Sequence, residues 1–125
     1  MHRLMQDISF KIDDNKLTIM LGDKAQKIAQ KLEEDIKTTQ FRKFYDKVLE
    51  LNDKAQSLDE SEFDKQIKPF VKMLNSKVAY AKTRKLCGKD FVVLMQKSIE
   101  KVNSQEELQN FKYFLESIIG FMPKK

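Results

Sequence analysis

Apolar positions recur at helical spacing through most of this chain, and only residues 1–21 break the rhythm. There, Ile8, Phe10 and Ile12 alternate with polar residues, Asp13-Asp14-Asn15 has the composition of a turn, and Leu17, Ile19 and Leu21 alternate again. Period two on both sides of a turn is the pattern of a β-hairpin, because successive strand side chains point to opposite faces. A lone hairpin is marginal in water, so an extended arm is the alternative. Residues 1–22 are therefore expected to form a short N-terminal arm, extended or hairpin-like, and residues 23–125 a helical bundle domain.

From Gly22 onward the period is that of helices. Ala25, Ile28, Ala29, Leu32 and Ile36 share one face of a first helix expected at about 23–37. Thr38-Thr39 supplies capping hydroxyls for a second, about 39–57, whose Phe41, Phe44, Tyr45, Val48, Leu51 and Ala55 fall together. A third, about 60–86, carries the stripe Phe63, Ile67, Phe70, Val71, Leu74, Val78 and Ala81. Pro69 has no N–H to donate and is expected to kink this helix or split off a short leading one. Gly88 marks a break before a fourth helix, about 89–102, with Phe91, Val92, Met95, Ile99 and Val102 inward. Ser104 and Glu107 have capping-box spacing. They open a fifth helix, about 105–121, on which Phe114 and Phe121 widen the apolar arc of Leu108, Phe111, Leu115, Ile118 and Ile119. The pattern predicts an all-α fold, a bundle of about five helices, and the 3 Gly and 2 Pro leave too few turn residues for a sandwich or barrel.

Charge changes the picture more than composition does. The chain holds 24 Lys+Arg against 19 Asp+Glu. The excess is local: residues 65–89 contain Lys65, Lys68, Lys72, Lys77, Lys82, Arg84, Lys85 and Lys89 and no acidic residue. Such a run favours a polyanion such as RNA or DNA or, less specifically, an anionic membrane surface. On the third helix Lys65, Lys68, Lys72 and Lys82 gather away from the apolar stripe. Lys77 and Arg84 sit on its other flank beside Met73 and Tyr80, an aromatic that could stack on a base or fill a subunit seam. Lys85 falls inside the stripe, so the buried part of the helix is expected to end before it. On the second helix Lys43, Lys47 and Lys54 line one face, with Arg42, Asp46, Glu50 and Asp53 between.

Catalytic chemistry finds little material. His2 is the one histidine and Cys87 the one cysteine, so neither a His-based acid–base pair nor a Cys–His nucleophile is available, and no intramolecular disulfide can form. No glycine-rich phosphate loop is present. Glu33-Glu34-Asp35 reads as a solvated helix face, and Asp59-Glu60-Ser61-Glu62 as a helix N-terminus favoured by the macrodipole. No enzymatic activity, cofactor or metal is expected. The start, Met1-His2-Arg3-Leu4-Met5-Gln6-Asp7, lacks the apolar stretch of a signal peptide, and no window approaches a membrane span. A cytoplasmic location is expected.

The run Thr38-Thr39-Gln40-Phe41-Arg42-Lys43-Phe44-Tyr45-Asp46 resembles the "TTTQLRKFYD" signature of the small helical subunit of type III-A CRISPR effector (Csm) complexes. Lys68-Pro69-Phe70, Met73-Leu74, Lys77, Tyr80-Ala81-Lys82 and Arg84 follow that family's pattern. So do Phe111 and Phe114-Leu115-Glu116-Ser117-Ile118-Ile119. The likeness covers residues 23–122 in order and leaves out the arm. It implies an all-helical, non-catalytic subunit that stacks along the guide-bearing subunits and lines the channel holding the guide–target RNA duplex. By position it implies that Arg42, Lys43, Lys77, Lys82 and Arg84 touch target-RNA phosphates, while the helical wheel alone adds Lys47, Lys54 and Lys85. The expected partners are target RNA, the guide–target duplex, other subunits of the complex and a second copy of the chain, with no membrane. A helical adaptor working through protein contacts, with the wide face of the last helix outermost, is the competing expectation.

Overall fold

Asp14 begins a continuous helical rod that runs to Leu32 through α1 (Asp14–Ile19), a π turn (Met20–Lys24) and α2 (Ala25–Leu32). The structure, a computed structural model, describes residues 1–11 and 14–122, and of Asp14 the backbone alone. The rod occupies half of the expected hairpin. Leu17 and Leu21, read as alternating, fit helical spacing once Met20, which is buried, is counted with them, and Ile19 is left 56% exposed. Ile8 and Phe10 are buried without strand pairing, and Ile12 and Asp13 lie outside the described residues, as do residues 123–125. In the π turn the Ala25 N–H reaches back to the Met20 and Gly22 carbonyls.

The arm is fastened at both ends. A 3₁₀ turn (Arg3–Met5) leads into Asp7. The Lys24 ammonium bonds the Leu4 carbonyl (2.6 Å) and the Asp7 carboxylate (2.7 Å), holding that carboxyl below its usual range. Phe10 packs its ring against Phe111 and Phe114, with centroids 5.4 and 5.7 Å apart. The buried Asn110 amide donates to the Phe10 carbonyl at 2.8 Å, which satisfies two polar groups that would otherwise be stranded in the core.

Five further helices follow: α3 (Thr38–Ala55), α4 (Glu60–Gln66), α5 (Lys68–Thr83), α6 (Lys89–Glu100) and α7 (Gln105–Phe121). Both of these helix starts, at α4 and α7, carry side-chain caps. Asp59 accepts from the Glu62 N–H, and Ser104 accepts from the Glu107 N–H while Glu107 accepts from Asn103. The expected third helix is two, separated at Ile67, and Pro69 sits in the first turn of α5, where a missing N–H leaves no carbonyl unpaired. α7 lies between α2 and α3, and α5 packs on α6. The wide arc of α7 is thus used inside the chain: Phe111, Phe114, Leu115 and Ile118 are wholly buried and only Phe121 stays substantially outside.

α5 closes with a Schellman arrangement. The Leu86 N–H bonds the Ala81 carbonyl and the Lys85 N–H that of Lys82, with Lys85 at φ 61 in the left-handed region where glycine is usual. Two residues later the chain meets the end of the α2–α3 connection. Ile36 and Cys87 form an antiparallel bridge, and the Gly88 N–H donates to the Asp35 carbonyl at 2.8 Å. The Asp35 side chain then takes over the start of α6. Its carboxylate accepts from the N–H groups of Phe91 (2.8 Å), Asp90 (3.2 Å) and Gly88 (3.3 Å). Asp35 is therefore a helix cap supplied from 53 residues away, not part of a solvated acidic face. A Cβ at Gly88 would run into this carboxylate, which explains why glycine stands there.

Three N–H bonds to one partly buried carboxylate, added to the macrodipole at the N-terminus of α6, predict a loss of about 2–3 kcal/mol for Asp35→Ala. Gly88→Ala should act in the same direction by pushing the carboxylate off its donors. Urea denaturation followed by circular dichroism checks both, with Glu34→Ala expected within about 0.5 kcal/mol of the parent. Equal effects from Asp35→Ala and Glu34→Ala would contradict the capping role. Lys85→Gly is expected to stabilise the fold by about 1 kcal/mol, since glycine occupies the left-handed region without steric cost. A fall in stability would instead show that the Lys85 side chain contributes packing.

Candidate nucleic-acid interface

The buried arc of α5 is Val71, Leu74, Val78 and Ala81. One residue turns about 100° around a helix, so Phe70 stands well round from Val71 and is 49% exposed rather than part of the core stripe. Met73 (46%) and Tyr80 (61%) share its side of the helix, and so do the exposed Lys77 and Arg84. The Arg84 guanidinium carbon lies 5.3 Å from the centre of the Tyr80 ring, within cation–π range.

The other cations divide among separate surfaces. Lys65 belongs to α4 and not to the face of α5. Lys72 leaves the solvated set: its ammonium donates to the Ile99 carbonyl at 2.7 Å in the last turn of α6. Burial, then the Lys68 charge, holds the Lys72 pKa below the usual lysine range, opposed by Glu107 and Glu100. Lys82 is exposed but about 140° round α5 from Lys77, so the two do not share a face. It lies near Cys87, whose thiol pKa is raised by burial and by Asp35 while Lys82 opposes the shift. Lys85, past the helix end, lines an open cleft of about 600 Å³ with Lys37, Thr39, Glu33, Glu34 and Asp35, a mixture of signs.

On α3, Arg42, Lys43, Lys47 and Lys54 are all exposed. Lys47 and Lys54 flank Glu50 at 3.5 Å each, and their charges, Lys47 first, hold its carboxyl below the ordinary range. Part of their charge is thus answered within the helix. Lys43 lies on the same side of α3, whereas Arg42 is about 100° round, towards Tyr45. The Tyr45 hydroxyl donates to Glu116 of α7 at 2.7 Å, and burial together with that carboxylate pushes its pKa up to about 12. Phe44, on the opposite flank, packs on Phe91 of α6 with ring centres 5.1 Å apart, as Phe41 does at 5.3 Å. The signature helix is therefore braced against both α6 and α7 while its cations face outward.

Among the described residues no carboxylate pairs with Arg42, Lys43, Lys77, Lys82, Arg84 or Lys85. No group of His, Cys, Asp and Glu is placed to hold a metal ion among those residues, and none of their helices is long and apolar enough to cross a membrane. Such cations can neutralise phosphates. Phe70 is the exposed aromatic that periodicity misassigns. Its spacing to Met73, Lys77, Tyr80 and Arg84 was the available signal, hidden because Phe70 also adjoins the core residue Val71.

The family model described as Csm2 Type III-A matches residues 16–122. No curated protein and no solved structure matches the chain. The match begins at Lys16, two residues into the rod that replaces part of the expected hairpin, and it takes in α3, α5 and the tie at Gly88. The chain belongs to the Csm2 Type III-A family, the small subunits of type III-A CRISPR Csm complexes.

Proposed function

We propose that this subunit is a non-catalytic RNA-binding component of a type III-A effector, lining the channel of the guide–target duplex and holding the target-RNA backbone. The observation that carries the reading is the acid-free run 65–89, of which Lys77, Lys82, Arg84 and Lys85 stay exposed with no carboxylate partner among the described residues. Arg42 and Lys43 extend the cationic surface onto α3. Lys47 and Lys54 add less because Glu50 lies between them. Lysine and arginine on phosphates give affinity without base readout, so sequence choice is left to pairing with the guide. Membership of a family of Csm-complex subunits supports this reading.

Binding of a labelled single-stranded RNA to the full-length protein, measured by fluorescence anisotropy across a salt series, tests this directly. Affinity is expected to fall steeply between about 50 and 200 mM salt, with little dependence on RNA sequence. Charge reversal at Arg42, Lys43 and Lys82 together should weaken binding at least tenfold and flatten the salt slope by up to about one per lost phosphate contact. Salt-independent binding, or a triple variant with unchanged affinity, would contradict the proposal.

A further inference from the structure

Phe70, Met73, Lys77, Tyr80 and Arg84 are spaced three, four, three and four residues apart. On a helix this puts all five on one line, about 21 Å long at about 1.5 Å per residue. Each is exposed, and the line runs aromatic, thioether, cation, aromatic, cation. Lys77 lies about 4.5 Å from Tyr80 along the axis and Arg84 about 6 Å beyond it. The Tyr80 ring, 61% exposed, thus has a cation on either side, one of which already lies over its face.

Three large apolar side chains held in water on one helix face are a surface awaiting a ligand. The ligand's charge is written in the same line. A protein helix packed along this stripe would have to bury Lys77 at its midpoint, which is expensive without an acidic partner. A single nucleic-acid strand, by contrast, offers flat bases and phosphates in alternation, and the α5 segment has no acidic residue to repel it.

We propose that this face of α5 is a stacking platform for unpaired RNA bases, with Tyr80 as the principal ring, Phe70 and Met73 as secondary apolar contacts, and Lys77 and Arg84 as phosphate clamps. The inference rests on RNA being the ligand, as proposed above. It adds that this face engages bases as well as backbone wherever the RNA is unpaired, while a duplex, whose bases are hidden in the stack, meets the cations alone.

The test compares three labelled 20-nucleotide probes on the full-length protein at low salt: a single strand, the same length abasic, and a duplex. Tyr80→Ala should weaken single-strand binding about tenfold, leave abasic and duplex binding unchanged, and keep the salt slope of the parent. Tyr80→Phe should restore affinity. Lys77→Gln should weaken all three probes and reduce the slope. Because the chain has 3 Tyr and no Trp, tyrosine emission gives a second readout. Single-stranded RNA should quench it in the parent and markedly less in Tyr80→Phe, whose position 80 no longer emits in that band. Tyr80 is exposed, and circular dichroism checks that Tyr80→Ala keeps the fold. If Tyr80→Ala binds the single strand as the parent does while charge reversal at Arg42, Lys43 and Lys82 still weakens it, the platform is overturned and the backbone reading stands. If no variant changes binding, both fall. Unchanged RNA affinity with loss of incorporation into the assembled complex would assign the face to a protein subunit and overturn the platform.

Discussion

Asp35 stands past the last residue of α2, yet its carboxylate holds the first turn of α6, and much of the arrangement hangs on that reach. With the backbone bridge between Ile36 and Cys87, it joins the end of the N-terminal rod to the junction of α5 and α6. Phe91, whose N–H is one of the donors, sends its ring against Phe41 and Phe44. One capped turn therefore fixes how the signature helix α3 meets α6. Because α5 packs on α6, it also fixes where the basic helix lies relative to α3. Gly88 is needed because the carboxylate fills the space a side chain would take.

This construction leaves α5 with two different jobs. Its inner arc of Val71, Leu74, Val78 and Ala81 belongs to the core. Its outer surface carries cations whose charge no neighbouring carboxylate cancels among the described residues. Lys72 is the exception that shows the difference, since its ammonium is committed to the Ile99 carbonyl at the end of α6 and serves the fold. Lys47 and Lys54 form an intermediate case around Glu50. The cations that remain are not one patch. They are spread over faces of α3 and α5, which suits a long polyanion laid across the subunit better than a small anion held in a pocket.

What could be read from the chain was whatever is decided locally. The apolar arcs of α3 and α6, the Ser104–Glu107 capping box, the Asp59 cap and the break near Pro69 each depend on residues within a turn or two of one another. The basic run was equally plain, being a matter of counting. The hairpin failed because Leu17, Ile19 and Leu21 satisfy period two only if Met20 is treated as outward, whereas it is in the core. Asp35 and Lys72 were misread for a different reason. Their partners lie 53 or more and 27 residues away, and an acid beside two glutamates or a lysine in a basic run carries no local mark of such a bond. The wide arc of α7 suggested an outer docking face because its amphipathic pattern cannot say how many neighbours surround it; α2, α3 and Phe10 together use the arc up.

The proposed role puts the outward cations of α3 and α5 on RNA in the assembled complex. Photo-crosslinking of a Csm effector carrying this subunit to a target RNA with photoreactive nucleotides, followed by peptide mass spectrometry, tests it most directly. Crosslinked peptides are expected from residues 42–54 and 70–85, at nucleotide positions independent of base identity. Crosslinks confined to the N-terminal arm and α7, or none to this subunit while other subunits crosslink efficiently, would contradict it.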